Sequence, residues 1–352
     1  MINIPVGIIG AGPAGTTASL FLSQLGIDHL LIDRASFPRD KVCGESFDGK
    51  VFHLLKELNP EWLSVLKQED KLLPCWAYSL TNSKGEKVSI RYPANHTPKI
   101  HIQRNFFDHF LLKKALESKY AKLYSNSNVQ TVKANTNGVA VFTRDQLINC
   151  QMLIIATGAT SLLKKTAGNT KKGKPYLFAR QYFQGLTNIG VQPEVEIFYG
   201  SKKRKTCLLL NPLSTGITNV EIGIAKSDFL ALNTNLKDLL KHAIQEARLS
   251  ARFQTAVPVS QLKTTFMELP TGKRVCSKGR IYFAGASAGA VNPVTGYGVG
   301  HAMTMGKIAA QHISKCISAK DFSTQTLSAY DKAVKKKLRN EWLLSDCLTH
   351  LQ

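Results

Sequence analysis

Apolar residues in this chain fall into short runs joined by helical stripes at both ends, with strict alternation in the middle. The first run, Val6-Gly7-Ile8-Ile9, breaks at Gly10-Ala11-Gly12-Pro13-Ala14-Gly15 and resumes as a helical pattern through Leu25, which Gly26 ends. A second run, His29-Leu30-Leu31-Ile32, closes on Asp33. Short apolar runs bounded by turn residues predict strands, and spacing of three to four predicts helices. The opening therefore reads strand, glycine turn, helix, strand, acid.

Further along, residues 47–66 read as a helical stretch interrupted at Asn59-Pro60. Residues 76–80 and 87–92 read as a hairpin around Asn82-Ser83-Lys84-Gly85. A helix is predicted over 107–119, with apolar residues at 107, 110, 111 and 115, and strands at 129–133, 138–143 and 152–156. From 171 to 259 the pattern alternates, predicting strands at 176–183, 194–199, 206–210 and 219–225 and a helix over 236–248. A strand ending at Ala284 then leads through a second glycine-rich turn into a small-residue helix reaching about Ile313. Leu327, Tyr330, Val334, Leu338 and Trp342 recur at helical spacing, as in a packed terminal helix.

Composition narrows this pattern. The 352 residues suffice for one large or two medium domains, and 43% hydrophobic with 20% charged residues is a globular balance. No apolar segment reaches the roughly 18 to 20 residues that span a bilayer, and the first run lacks a basic leader. A cytoplasmic location, with peripheral membrane association open, is the expectation. Cysteines at 43, 75, 150, 207, 276, 316 and 347 form no CxxC pair, so neither a zinc site nor a disulfide framework is indicated.

The 46 Lys and Arg against 24 Asp and Glu give +22, which implies acidic surroundings or simply a solubilising surface. Basic clusters at Lys164-Lys165, Lys171-Lys172-Lys174, Lys202-Lys203-Arg204-Lys205 and Lys335-Lys336-Lys337-Leu338-Arg339 could meet an acidic carrier protein, a diphosphate substrate or an anionic membrane. Nucleic acid is not expected, because the clusters lack interleaved aromatics and match no recognition module.

The chemistry begins at the first turn. Gly10 permits a tight turn, Gly12 lets backbone approach a pyrophosphate, and Gly15 lets helix pack on strand, while the helix N-terminus faces the phosphates. Asp33, 18 residues past Gly15, can accept hydrogen bonds from ribose hydroxyls. A dinucleotide site follows.

The run GAGPAG…ID…FPR.KVCGE resembles the geranylgeranyl reductase and flavin-dependent halogenase branch of the FAD oxidoreductases related to para-hydroxybenzoate hydroxylase. The second turn, from Gly285, resembles that family's Gly-Asp-Ala-Ala-Gly-x-x-x-Pro-x-x-Gly-x-Gly at Gly285, Ala288, Gly289, Pro293, Gly296 and Gly298. The resemblance implies an α/β fold: a Rossmann-type, glutathione reductase-like FAD-binding domain (1–70, 100–170 and 271–320) with an inserted mixed β-sheet substrate domain (71–99 and 171–270) and a C-terminal helical segment (321–352). It places Gly10, Gly12, Pro13, Ala14, Gly15, Asp33 and Arg34 at the dinucleotide end of FAD, with Thr157 and Gly158 near the adenine half. Cys43, Gly44 and Glu45 fall beside the isoalloxazine ring, and Arg104 falls at the ribityl-phosphate region. Gly285, Ala286, Pro293, Gly296, Tyr297 and Gly298 fall near the flavin. No metal is implied.

Ala286 stands where the family has an Asp that holds a ribityl hydroxyl, so weakened FAD binding is expected. Residues 207–212, Cys-Leu-Leu-Leu-Asn-Pro, stand where geranylgeranyl reductases carry Tyr-x-Trp-x-Phe-Pro, keeping only the proline. Trp62, Trp76 and Trp342 stand apart, without the halogenase Trp-x-Trp-x-Ile-Pro. The activity implied is reduction of carbon–carbon double bonds of an apolar, prenyl or lipid-like substrate. NAD(P)H would be the transient electron donor, and Cys43 would be a candidate proton donor or an inert buried thiol. A flavin monooxygenase or halogenase acting on an aromatic or carrier-bound substrate, and a degenerate non-catalytic flavoprotein, remain alternatives.

Overall fold

The computed structural model describes residues 1–93, 95–159, 163, 173–189, 193–201, 204–270, 274–292 and 296–349. In chain order the elements are β1 (Ile2–Ile9), α1 (Pro13–Gln24), β2 (His29–Ile32), β3 (Ser46–Phe47), α2 (Gly49–Leu58), α3 (Trp62–Gln68), β4 (Leu73–Cys75), β5 (Ala77–Thr81), β6 (Lys87–Arg91), β7 (Lys99–His101), α4 (Arg104–Leu116), β8 (Ala121–Tyr124), β9 (Thr131–Ala134), β10 (Val139–Phe142) and β11 (Leu147–Ile155). They continue as β12 (Lys174–Gln184), β13 (Glu194–Tyr199), β14 (Cys207–Pro212), β15 (Ile217–Ala225), α5 (Lys226–Ala231), α6 (Leu236–Gln245), α7 (Ala247–Ser250), β16 (Val257–Pro258), β17 (Lys263–Leu269), β18 (Ser277–Lys278), β19 (Ile281–Phe283), α8 (Val299–Ala319) and α9 (Thr324–Thr349).

The chain divides into two compact units. The first comprises Met1–Arg39, Phe107–Gly173 and Glu268–Gln352, and the second Asp40–Phe106 and Lys174–Met267. The first is built on a sheet ordered β18-β19-β11-β1-β2-β8, in which β19, β11, β1, β2 and β8 run parallel. Val6 to Ile9 are all buried, as continuous apolar runs must be in a parallel sheet covered on both faces. Small residues let α1 and α8 lie close: a Cβ on Gly306 would sit 2.3 Å from the Ala14 carbonyl oxygen. The apolar stripe Leu327, Tyr330, Val334, Leu338 and Trp342 buries α9 in the same unit. There the Tyr330 ring stacks on Tyr282 at 4.2 Å, and its hydroxyl donates to the Phe283 carbonyl at 2.8 Å.

The second unit is a mixed sheet ordered β16-β12-β15-β14-β13-β5-β6, with a small sheet β3-β7-β4. Only the β13–β5 pair among its described ladders is parallel. One face packs Phe198, Leu208, Leu210, Val220, Ile222 and Ile224 against Leu239, Leu240 and Ala243 of α6. Residues two apart share a face, so Leu209, Asn211, Asn219 and Glu221 point the other way, where Cys75, Val195, Ile197 and Leu209 form a separate apolar cluster.

The division into units draws its boundaries elsewhere than the sequence-based partition. Residues 40–70 and 100–106 go with the mixed sheet, because Glu45 hydrogen-bonds Tyr182 on β12 and Asn219 on β15. Residues 321–349 do not stand apart, because Tyr330 is bound into the first unit. The predicted helix over 236–248 stops at Gln245, where Glu246 turns extended (φ −58, ψ 141). No helix among the described residues is long and apolar enough to cross a membrane.

Candidate functional site

In the first unit the opening turn is fixed by contacts that leave no room for side chains. Gly10 has φ +103, and a Cβ there would meet the Ala156 carbonyl oxygen at 2.4 Å; one on Gly15 would lie 1.8 Å from the Gly10 carbonyl oxygen. Gly12 is the extended N-cap of α1 and makes no side-chain cap, and Pro13 occupies the first turn. The leading amides of α1 therefore keep their donors for a ligand. Asp33, almost fully buried, accepts from the Ala11 amide at 2.7 Å and the Ala35 amide at 2.9 Å. Each carboxylate oxygen retains a further lone pair. Arg34 is exposed beside it.

The second turn meets the first. Gly285 has φ +71, and its Cβ would fall 3.3 Å from the Ala14 Cβ and 3.1 Å from that of Ala302. A Cβ on Gly10 would also come 3.2 Å from the Thr157 Cα, so Gly10, Ala14, Thr157 and Gly285 are brought together. The Thr157 hydroxyl is buried without a partner, and Gly158 has φ +80. Ala286 lies partly exposed in the tight turn 285–288. The Tyr297 carbonyl accepts from the Asn292 amide at 2.8 Å, and Gly296 closes the same loop with φ +70. Gly298 is the N-cap of α8, again with no side-chain cap and no acid in the first turn. Pro293 lies outside the described residues, as do Lys164, Lys165, Lys171, Lys172, Lys202 and Lys203.

Two uncapped helix N-termini, close-packed glycines and a buried acid at the end of β2 form a set of donors and an acceptor that fits a dinucleotide cofactor such as FAD. Arg39 adds to it. Its guanidinium would lie 3.2 Å from a Cβ on Gly12 and pairs with Asp108 at 3.3 Å, which sets a cation beside the first glycine turn. The motif reading passed over Arg39 although the Phe-Pro-Arg run contains it.

The second unit holds Cys43, Gly44 and Arg104 around a buried carboxylate, Glu45. Glu45 has φ 60, a left-handed conformation that is strained for a residue with a side chain. Three donors hold it there: the Arg104 amide at 2.8 Å and the Tyr182 hydroxyl at 2.8 Å on one oxygen, and the Asn219 amide group at 2.9 Å on the other. The same Asn219 group donates to the Cys43 carbonyl at 2.8 Å. Burial raises the Glu45 carboxyl above its ordinary range despite these bonds. It likewise raises the Cys43 thiol, against the pull of Arg104.

Glu221 lies two residues from Asn219 on the same face of β15. Burial, with the neighbouring Glu45 charge, pushes it from 4.5 to about 7, opposed by Arg180. Arg180 is 1% exposed, lies 4.0 Å over the Tyr182 ring and pairs with Asp40 at 2.5 Å, while Lys263 reaches Asp40 at 2.7 Å. Burial works against the Asp40 charge, yet Lys263 and Arg180 hold its carboxyl below the usual range. His101 donates from Nδ1 to the Pro212 carbonyl at 2.6 Å, and burial lowers it to about 4, so its ring is neutral. Of this network the motifs supplied only Cys43, Gly44, Glu45 and Arg104. Arg180, Tyr182, Asn219 and Glu221 were visible only as polar residues two apart within strands otherwise built for burial.

A family model described as FAD binding domain matches residues 3–335. The chain belongs to this family. Within it, the chain is 27% identical to a digeranylgeranylglycerophospholipid reductase of Methanococcus vannielii, over 97% of this chain and 84% of that one. A geranylgeranyl bacteriochlorophyll reductase-like protein of Thermoplasma acidophilum shares the fold, with TM-score 0.82 and 19% identity over 98% of this chain and 87% of that one. A flavin-dependent brominase shares it with TM-score 0.80 and 18% identity, over 99% and 89%. The expected α/β architecture with mixed sheets is the observed one, and FAD is the family's cofactor.

Proposed function

We propose that this FAD-dependent oxidoreductase reduces carbon–carbon double bonds of an apolar, isoprenoid or lipid-like substrate, with NAD(P)H as electron source. The observation that carries the reading is the sheet face of the second unit: an apolar cluster of Cys75, Val195, Ile197 and Leu209 lies beside buried acids that can hold a proton. The similarity, over 97% of this chain, to a protein named digeranylgeranylglycerophospholipid reductase supports it.

FAD, when bound, supplies hydride transfer. The amides that open α1 would bind its pyrophosphate together with Arg39, and Asp33 would hold the ribose hydroxyls. The amides that open α8, after Gly296, Tyr297 and Gly298, would face the flavin's developing negative charge as fixed donors. Thr157, Gly158 and Ala286 would line the cofactor.

Reduction of an alkene also needs a proton. The Cys43 thiol, raised by burial, stays protonated at neutral pH, and Glu221, at about 7, holds a proton on about half the molecules there. The exposed cations Lys332, Lys335, Lys336, Lys337 and Arg339 of α9 suit an anionic membrane surface or an acidic carrier delivering such a substrate.

The test is anaerobic. FAD-reconstituted protein should lose its yellow colour on addition of NADPH and regain it when geranylgeraniol is added, with saturated product formed. Reoxidation only by air, with oxygen consumption stimulated by an aromatic substrate, would replace the reading with monooxygenase chemistry.

A further inference from the structure

On the face of the second unit's sheet opposite α6, two cross-strand rows lie side by side. Tyr182 pairs with Asn219, which pairs with Asn211; Arg180 pairs with Glu221, which pairs with Leu209. Asn211 and Asn219 are fully buried and Glu221 is 7% exposed. Such groups are almost always hydrogen-bonded, yet both amide atoms of Asn211, Oδ1 of Asn219, Oε2 of Glu221 and Nε of Arg180 have no protein partner. The Asn219 orientation is fixed, because its nitrogen donates to two acceptors, the Cys43 carbonyl and Glu45. For Asn211 the orientation is immaterial, since both ends are unpaired.

We infer that Asn211, Asn219 and Glu221 form a seat for the hydroxyl group of an otherwise apolar, isoprenoid-like substrate. A hydroxyl donates one bond and accepts up to two. Here it accepts from the Asn211 amide nitrogen and donates to the Asn219 or Glu221 oxygen. A phosphate or carboxylate, which only accepts, would leave the Asn219 oxygen without a donor and lie near Glu45 and Glu221. The one cation in these rows, Arg180, is already paired with Asp40. The adjoining Leu209, Ile197, Val195 and Cys75 are apolar and would flank the apolar remainder. The identity of that remainder rests on the reductase reading; the hydroxyl seat rests on the unpaired atoms alone.

The test separates the two. Binding of farnesol, farnesyl methyl ether and farnesyl diphosphate to the FAD-reconstituted full chain is measured by equilibrium dialysis, and turnover of each is measured apart. The seat predicts farnesol binding at least about tenfold tighter than the ether, since a site built to hydrogen-bond a hydroxyl rejects analogues that cannot donate. It predicts that Asn211→Leu, a near-isosteric change that removes two unpaired atoms, folds normally and brings the preference within about twofold. Equal binding of alcohol and ether, tighter binding of the diphosphate, or no binding of any probe would overturn the seat. Farnesol bound with the predicted preference but never reduced would support the seat and refute the reductase reading.

Discussion

Replacing Glu221 by glutamine should stabilise the protein at alkaline pH and not at acid pH. Glu221 is raised from 4.5 to about 7, by burial first and the Glu45 charge second. Between those values the folded state holds a proton that the unfolded chain has released. Stability therefore falls as pH rises through that window and is lowest above about 7. At about 1.4 kcal/mol per pH unit, the gap from 4.5 to about 7 comes to about 3 kcal/mol. Glutamine has no charge to bury, and its own packing and hydrogen-bonding differences do not titrate. Urea unfolding of both proteins at about pH 5 and about pH 8.5 isolates the carboxyl, because other groups titrate equally in each. The stability difference, variant minus native, should rise by about 2 to 3 kcal/mol between the two pH values. Relief of Glu45, whose raised carboxyl shares the burial, acts in the same direction. A difference constant to within about 0.5 kcal/mol would show that Glu221 is solvated, and the case for a buried proton store on this sheet would fail.

Other substitutions probe each part separately. Arg39→Gln, which removes the cation lying 3.2 Å from the Gly12 Cβ position, should weaken FAD binding about ten- to a hundredfold by fluorescence titration, from a charged hydrogen bond worth about 1.5 to 3 kcal/mol. Ala286→Asp should tighten FAD binding about five- to a hundredfold in the same titration by supplying the acid that the turn lacks. Asn219→Leu strips the donor from Glu45 at 2.9 Å and from the Cys43 carbonyl at 2.8 Å. It should lower unfolding stability by about 2 to 4 kcal/mol in urea, since one of the two acceptors is a buried carboxylate. Unchanged stability in that variant would mean that Glu45 is not held as described.

The first glycine turn was legible because its requirements are local. Gly10, Gly12 and Gly15 are dictated by contacts within a few residues and by one neighbouring strand, and Asp33 by the end of β2. The hairpin of β5 and β6, the alternating strands β12 to β15 and the stripe of α9 were legible from periodicity. Short β8, only four residues, passed unseen because an edge position in a parallel sheet leaves a weak pattern. The sheet-borne polar residues of the second unit were not legible. Asn211, Asn219 and Glu221 come together through antiparallel register between β14 and β15, which no spacing within one strand reveals, and Arg180 and Tyr182 join them from β12. Glu45 was found through the Cys-Gly-Glu run, but its left-handed backbone and its three donors depend on elements 59 to 174 residues away.

The most direct test of alkene reduction is the mass of the product from a single anaerobic turnover. Protein carrying FAD, reduced by NADPH and given geranylgeraniol without oxygen, should yield a product heavier by two hydrogens for each bond reduced, with flavin reoxidised in proportion. Unchanged geranylgeraniol beside fully reduced flavin, or a product that gains oxygen only once air is admitted, would contradict it.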